Sequence, residues 1–253
     1  SSANCAEVMT VMNAIVAKQL QNFKKEVDEL IETKGLKKDE AIFNILREYI
    51  KDSKKIMFEG DGYSDDWAKE AKKRGLNNLK TTPEALKKEL DKKFVALYEE
   101  LGIYTHRELE ARNEIKLEKY STVISIEATV LADIARNHII PCALNYQNRL
   151  IENVKGLKEI FGDKEFKTLA KEQMNMISEI SGYVSVMKVE ADKLLEAIAT
   201  AKKAPNSQKV AEAFCNDVKP LFDKIREASD ALEMVVDDEL WPMTKYRELL
   251  FTR

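Results

Sequence analysis

The residues from Thr105 to about Ile151 constrain the fold more than any other part of the chain, because they form one long helical pattern with almost nothing to break it. The pattern opens on Thr105-His106-Arg107-Glu108, a capping box. The Thr105 hydroxyl is placed to accept from the Glu108 N–H, and the Glu108 carboxylate to accept from the Thr105 N–H. From there Leu117, Tyr120, Ile124, Ala128, Leu131, Ala135 and Ile139 recur every three or four residues, as one face of a helix requires. Pro141 is the single interruption. A proline within a helix lacks a donor and meets the carbonyl four residues back, which predicts a kink rather than a stop. At about 1.5 Å per residue the helix spans roughly 60–70 Å, and its apolar stripe needs other helices laid along it.

The remaining residues supply them. Eight glycines and five prolines are few punctuators for 253 residues, where ordinary usage is roughly 12% together. A first stripe runs through Val8, Val11 or Met12, Ile15, Leu20, Phe23, Val27 and Leu30 or Ile31 to Gly35, and a second helix from about Asp39 to Met57. Phe58-Glu59-Gly60-Asp61-Gly62-Tyr63 is the clearest break. Ser64 then caps a helix that stops at Arg74-Gly75. Thr82-Pro83 starts another that runs to about Leu101, with Thr82 as N-cap. Gly162 makes a stop and Asp163 a restart, with the next helix continuing to about Lys203. A last helix, from about Gln208 to Asp237, contains Pro220. The fold class expected is all-α: a bundle of six to seven helices around a long kinked central helix. Trp241, Tyr246, Leu249, Leu250 and Phe251 make the tail apolar, so it is expected to dock as an anchor.

Charge and cysteines exclude several functions. The formal charge is −3, with both signs interleaved, so nothing favours nucleic acid or an anionic membrane. No apolar run is long enough for a membrane span, and the first residues do not resemble a signal peptide. Cys5, Cys142 and Cys215 are odd in number and far apart, which fits a reduced, cytoplasmic setting and no zinc site.

Candidate chemistry is sparse. Glu127 and His138 fall on or beside the stripe of the long helix, three turns apart, and Asn145 and Arg149 continue that face. They are either part of a site between helices or buried polar residues satisfied by a facing helix, and a polar strip inside the bundle is expected. Glu59, Asp61, Asp65 and Asp66 do not match a calcium loop and read as turn and N-cap residues. The cysteines read as small core residues, and His106 as a solvated first-turn residue. No catalytic, cofactor-binding or metal-ligating residue is assigned.

The same residues match a family. Gly62-Tyr63-Ser64-Asp65-Asp66-Trp67, then Glu70-Ala71, Arg74-Gly75-Leu76, Asn78-Leu79 and Thr81-Thr82-Pro83-Glu84-Ala85-Leu86 resemble the C-terminal region of type III glutamine synthetases. So do Lys119-Tyr120 with Ile126-Glu127-Ala128, Ile139-Ile140-Pro141, and Leu240-Trp241-Pro242 with Tyr246 and Leu249-Leu250-Phe251. Ser1-Ser2-Ala3-Asn4 and Val11 to Ala17 are similar to the junction where that family's catalytic region passes into helices, although Cys5 to Met9 departs from its proline-containing segment. The resemblance implies an enzyme that joins ammonia to glutamate with ATP and Mg, through a γ-glutamyl phosphate, in a ring-shaped homo-oligomer. Its reactive residues belong to a catalytic region upstream, so the resemblance carries none onto this chain. It implies that residues 1–57 continue from that catalytic domain, their partner in the same chain, and that residues 58–253 form a bracing bundle. The alternative is a free-standing helical interaction or regulatory module that binds a partner around Glu127 and His138, against which the absence of an initiator Met weighs.

Overall fold

The computed structural model describes residues 5–251, and of Lys164, Tyr246 and Arg247 the backbone alone. The resemblance at Ser1–Asn4 and the docking expected of the Tyr246 side chain therefore lie outside what is described. Among the described residues every regular element is helical, and no helix is long and apolar enough to cross a membrane. The chain divides into two compact units, with the boundary between Glu114 and Ile115.

The first unit begins with α1 (Cys5–Lys34) and α2 (Lys38–Ser53). Gly35 ends α1 at φ 63°, and its N–H donates to the Ile31 carbonyl at 3.0 Å. The two helices pack on each other, with Phe23 and Tyr49 6.1 Å apart between ring centroids. The short helix α3 (Asp65–Lys73) starts as the sequence predicts, the Ser64 hydroxyl accepting from the Trp67 N–H at 3.2 Å. The single helix expected from Thr82 to Leu101 is instead two. These are α4 (Thr82–Lys88) and α5 (Lys92–Glu100), separated where Asp91 adopts extended backbone and so starts a new helix. The N-cap of α4 is Thr81, one residue earlier than expected, and its side chain makes no capping bond. Val95, Tyr98 and Leu109 form one core cluster of this unit, with Val11, Leu90 and Phe94 packed against them.

The long helix opens with the expected capping box: Thr105 N–H donates to Glu108 Oε2 at 2.8 Å, and Glu108 N–H to Thr105 Oγ1 at 3.3 Å. It comprises α6 (His106–Ile134), a π-helical turn at Ala135–Ile139, and α7 (Ile140–Leu169). It passes the expected end at Ile151 and stays helical until Gly162, whose φ of 68° and ψ of 178° break it. That conformation is open essentially only to glycine.

In the second unit α8 (Lys171–Ala201) is central. It packs against α7, against the π turn at 135–139, and against α10 (Leu221–Val235). Ile180, Met187, Ala191 and Leu194 on α8 are fully buried, and Ala128, Ala135 and Ala143 on the long helix join the same core. The helix expected to run unbroken from Asp163 is interrupted at Ala170, where φ is −94° and ψ 5°. No helix-breaking residue stands there, and Ala170 is completely buried. Packing, not propensity, sets that break.

Both internal prolines are accommodated in the same way. Ile140 N–H, just before Pro141, donates to the Ala135 carbonyl five residues back. Lys219 N–H, just before Pro220, donates to the Phe214 carbonyl at 3.0 Å, again five back. The wider turn moves the carbonyl that the proline ring would strike, so the expected kink takes the form of a π turn. At Pro220 the last long helix divides into α9 (Ser207–Ala213), a π turn at Phe214–Val218 and α10. A final short helix, α11, covers Tyr246–Leu249.

Among the described residues of the tail, Trp241 docks and the last three do not. Trp241 is 8% exposed within the main core, with Leu240 packed beside it. Leu249, Leu250 and Phe251 are 56%, 63% and 80% exposed, so the expected anchor is Trp241 rather than the whole segment.

Candidate functional site

The polar strip expected inside the bundle is not there. Glu127, His138, Asn145 and Arg149 are all exposed. Glu127 immediately precedes the buried Ala128, and His138 the buried Ile139. One residue turns a helix by about 100°, enough to take a side chain from the core to solvent. Arg149 instead pairs with Asp237 at 3.3 Å. The buried polar residues on this helix are Asn113, Ser121 and Gln147. Gln147 Nε2 donates to the Ile177 carbonyl at 2.8 Å and to Ser181 Oγ at 2.6 Å, tying α7 to α8. Its place was legible: the run Ile139, Ala143, Gln147 continues the stripe at four-residue steps.

The acidic loop is turn chemistry. Asp61 Oδ1 accepts from the Tyr63 N–H at 2.9 Å, and the Ser64 hydroxyl donates to the Asp61 carbonyl at 2.9 Å. Phe58 stacks on Trp67 with centroids 4.0 Å apart, and Arg74 lies over the same indole while donating to the Met57 carbonyl at 2.7 Å. These contacts tie the loop's two ends together. Among the described residues no three His, Cys, Asp or Glu side chains converge as metal ligands.

Cys5 is exposed, contrary to the reading of the cysteines as core residues, whereas Cys142 and Cys215 are half-buried. Cys142 Sγ donates to the Leu240 carbonyl at 2.9 Å, and burial, then the nearby Asp237, push its thiol pKa up. The Tyr120 hydroxyl lies beside Cys215, and burial first, then that neighbour, push the phenol well above its ordinary value. Glu190 is buried on α8, with Oε1 2.7 Å from Lys193 Nζ and Oε2 3.9 Å from Lys224 Nζ on α10. The Lys193 hydrogen bond holds its carboxyl below the usual glutamate range. Arg136 and Lys188 do the same for Asp192, with Lys188 the larger influence. Nothing here pairs a nucleophile with a base. The groups fasten helices.

The chain's most distinctive surface is apolar. On α1, Val8, Met12 and Ile15 are 64%, 58% and 49% exposed, and on α2, Phe43, Leu46 and Ile50 are 64%, 45% and 60% exposed. Both triplets have helical spacing, so each helix presents a continuous apolar stripe to solvent. Ala14 and Val27 are the fully buried residues of α1. Exposed patches of this kind mark interaction surfaces.

The chain is similar to known proteins. The family model described as the glutamine synthetase C-terminal domain matches residues 41–158. A glutamine synthetase of Bacteroides fragilis is 47% identical over all 253 residues, which cover 35% of that protein. A type-3 glutamine synthetase of Dictyostelium discoideum is 34% identical over 244 residues, 96% of this chain and 33% of that protein. A glutamine synthetase of Butyrivibrio fibrisolvens is 26% identical over 213 residues, 84% of this chain and 30% of that protein. The chain thus spans about a third of the length of the curated relatives it matches.

Proposed function

The chain belongs to the glutamine synthetase family, as the C-terminal helical region of its type III branch, and from that premise we propose that the complete protein ligates ammonia to glutamate. ATP would supply the driving force and Mg the counter-charge for the transferred phosphate, through a γ-glutamyl phosphate intermediate. The reacting groups would stand outside this segment.

The observation that carries the segment's own role is the pair of exposed apolar stripes on α1 and α2. We read residues up to about Met57 as the part that packs on the catalytic region of the same protein, and the rest as a brace for it and for contacts in a cytoplasmic homo-oligomer. Burying each large apolar side chain stabilises by roughly 1.5–3 kcal/mol, so two such stripes make a strong joint.

The test compares the complete protein with the 253-residue chain. Ile15→Glu and Phe43→Glu should lower the assembly state and the glutamate- and ammonia-dependent ATP turnover of the complete protein. The isolated chain should keep its melting temperature, because both side chains already face water there. Unchanged assembly and turnover would overturn the bracing role. A native species no larger than this chain, without ligase activity, would favour a helical module acting alone.

A further inference from the structure

Within the second unit a cleft of about 550 Å³ opens between α6, the end of α8 and the α9 segment. Its size falls in the range of small-molecule sites. Phe214, 1% exposed, forms an apolar floor, and Ile126, 58% exposed, forms an apolar lip. Glu118 and Lys202 line the same cleft with opposite charges, and neither has an ion-pair partner among the described residues. Thr122 and Ser125 also line it, and their hydroxyls have no hydrogen-bond partner among those residues. Elsewhere in this unit charged side chains near the core are paired, as Glu190, Asp192 and Arg149 are.

We propose that this cleft binds an α-amino acid with an apolar side chain. Glu118 would take the ammonium and Lys202 the carboxylate, Thr122 and Ser125 would add hydrogen bonds, and the side chain would lie on Phe214 and Ile126. An anion alone would meet Glu118, and a cation alone Lys202, so the balanced pair favours a zwitterion. The inference stands on this cleft and not on the ligase reading. Because it concerns the 253-residue chain, binding there is separable from any site elsewhere in the complete protein.

The experiment titrates the 253-residue chain with L-leucine and L-phenylalanine by calorimetry, alongside their N-acetyl and carboxamide derivatives. The free amino acids should bind, and each derivative, lacking one charge, should bind at least about tenfold more weakly, the effect of one charge-assisted hydrogen bond. Glu118→Gln and Lys202→Met should each weaken binding by a similar factor without moving the melting temperature, since both side chains are exposed. Ile126→Ser should weaken both amino acids by removing the apolar lip. The proposal is overturned by no binding of either amino acid, by equal binding of the derivatives, or by affinity that survives both charge variants.

Discussion

The thiol of Cys142, one residue after Pro141 on the long helix, donates to the backbone carbonyl of Leu240 at 2.9 Å. This contact joins residues 98 positions apart and seats Trp241 in the core. Arg149 with Asp237, and Lys245 with Asp238 and the Glu233 carbonyl, hold the same segment on either side.

Trp241→Ala should therefore destabilise the second unit by about 3–5 kcal/mol, the usual cost of truncating a buried aromatic. Trp241→Phe should cost considerably less, because the indole Nε1 is buried without a hydrogen-bond partner among the described residues. Changing Leu249, Leu250 or Phe251 to Ser should move stability by less than about 0.5 kcal/mol each. Urea denaturation of the 253-residue chain measures all five. A tail variant as damaging as Trp241→Ala would return the anchor to the end of the segment.

The two glycines of α7 should respond in opposite directions to alanine. Neither would bring a new Cβ within 4 Å of another group. Gly156 lies in regular helix, so Gly156→Ala should stabilise by about 0.5–1 kcal/mol. Gly162 has φ 68° and ψ 178°, so Gly162→Ala should destabilise by about 1–3 kcal/mol through backbone strain alone. Paired thermal melts decide it; the same sign for both would mean that the break at Gly162 is not held.

Ala135 sits in the first π turn, fully buried against the core that includes α8. Ala135→Leu should cost about 1–3 kcal/mol by overpacking, whereas Glu127→Leu one helical face away should be nearly neutral. Differential scanning calorimetry compares them. Equal effects would contradict the assignment of these two faces.

Glu190 and Asp192 have folded pKa values below their ordinary ones, so they favour the folded state when ionised. Their contribution is complete above the ordinary carboxylate values, near about 4, and is lost as pH falls through the lower folded values. Stability should fall in acid below about pH 4, and Glu190→Gln should flatten that fall. Chemical denaturation at a series of pH values tests the slope. An unchanged acid slope in the variant would remove Glu190 from the account.

Local chemistry made much of this fold legible in the sequence. The Thr105–Glu108 box, the Ser64 cap, the stops at Gly35 and Gly162, and the stripe from Leu117 to Ile139 all depend on neighbours within about one or two helical turns. The type III resemblance was legible for a related reason: its motifs are contiguous runs such as Gly62 to Trp67. Other outcomes turned on contacts between residues far apart. Ala170 breaks a helix with no breaker present, and Gln147 finds its partners about thirty residues away on α8. Glu127 and His138 lie one residue from buried positions, and only the packing of neighbouring helices decides which side of that narrow angle reaches water. Trp241 docks while Phe251 does not, because Cys142, Arg149 and the core receive the first and leave the second exposed. Periodicity along a chain specifies which faces are apolar; which of them meet one another is settled by distant residues competing to bury them.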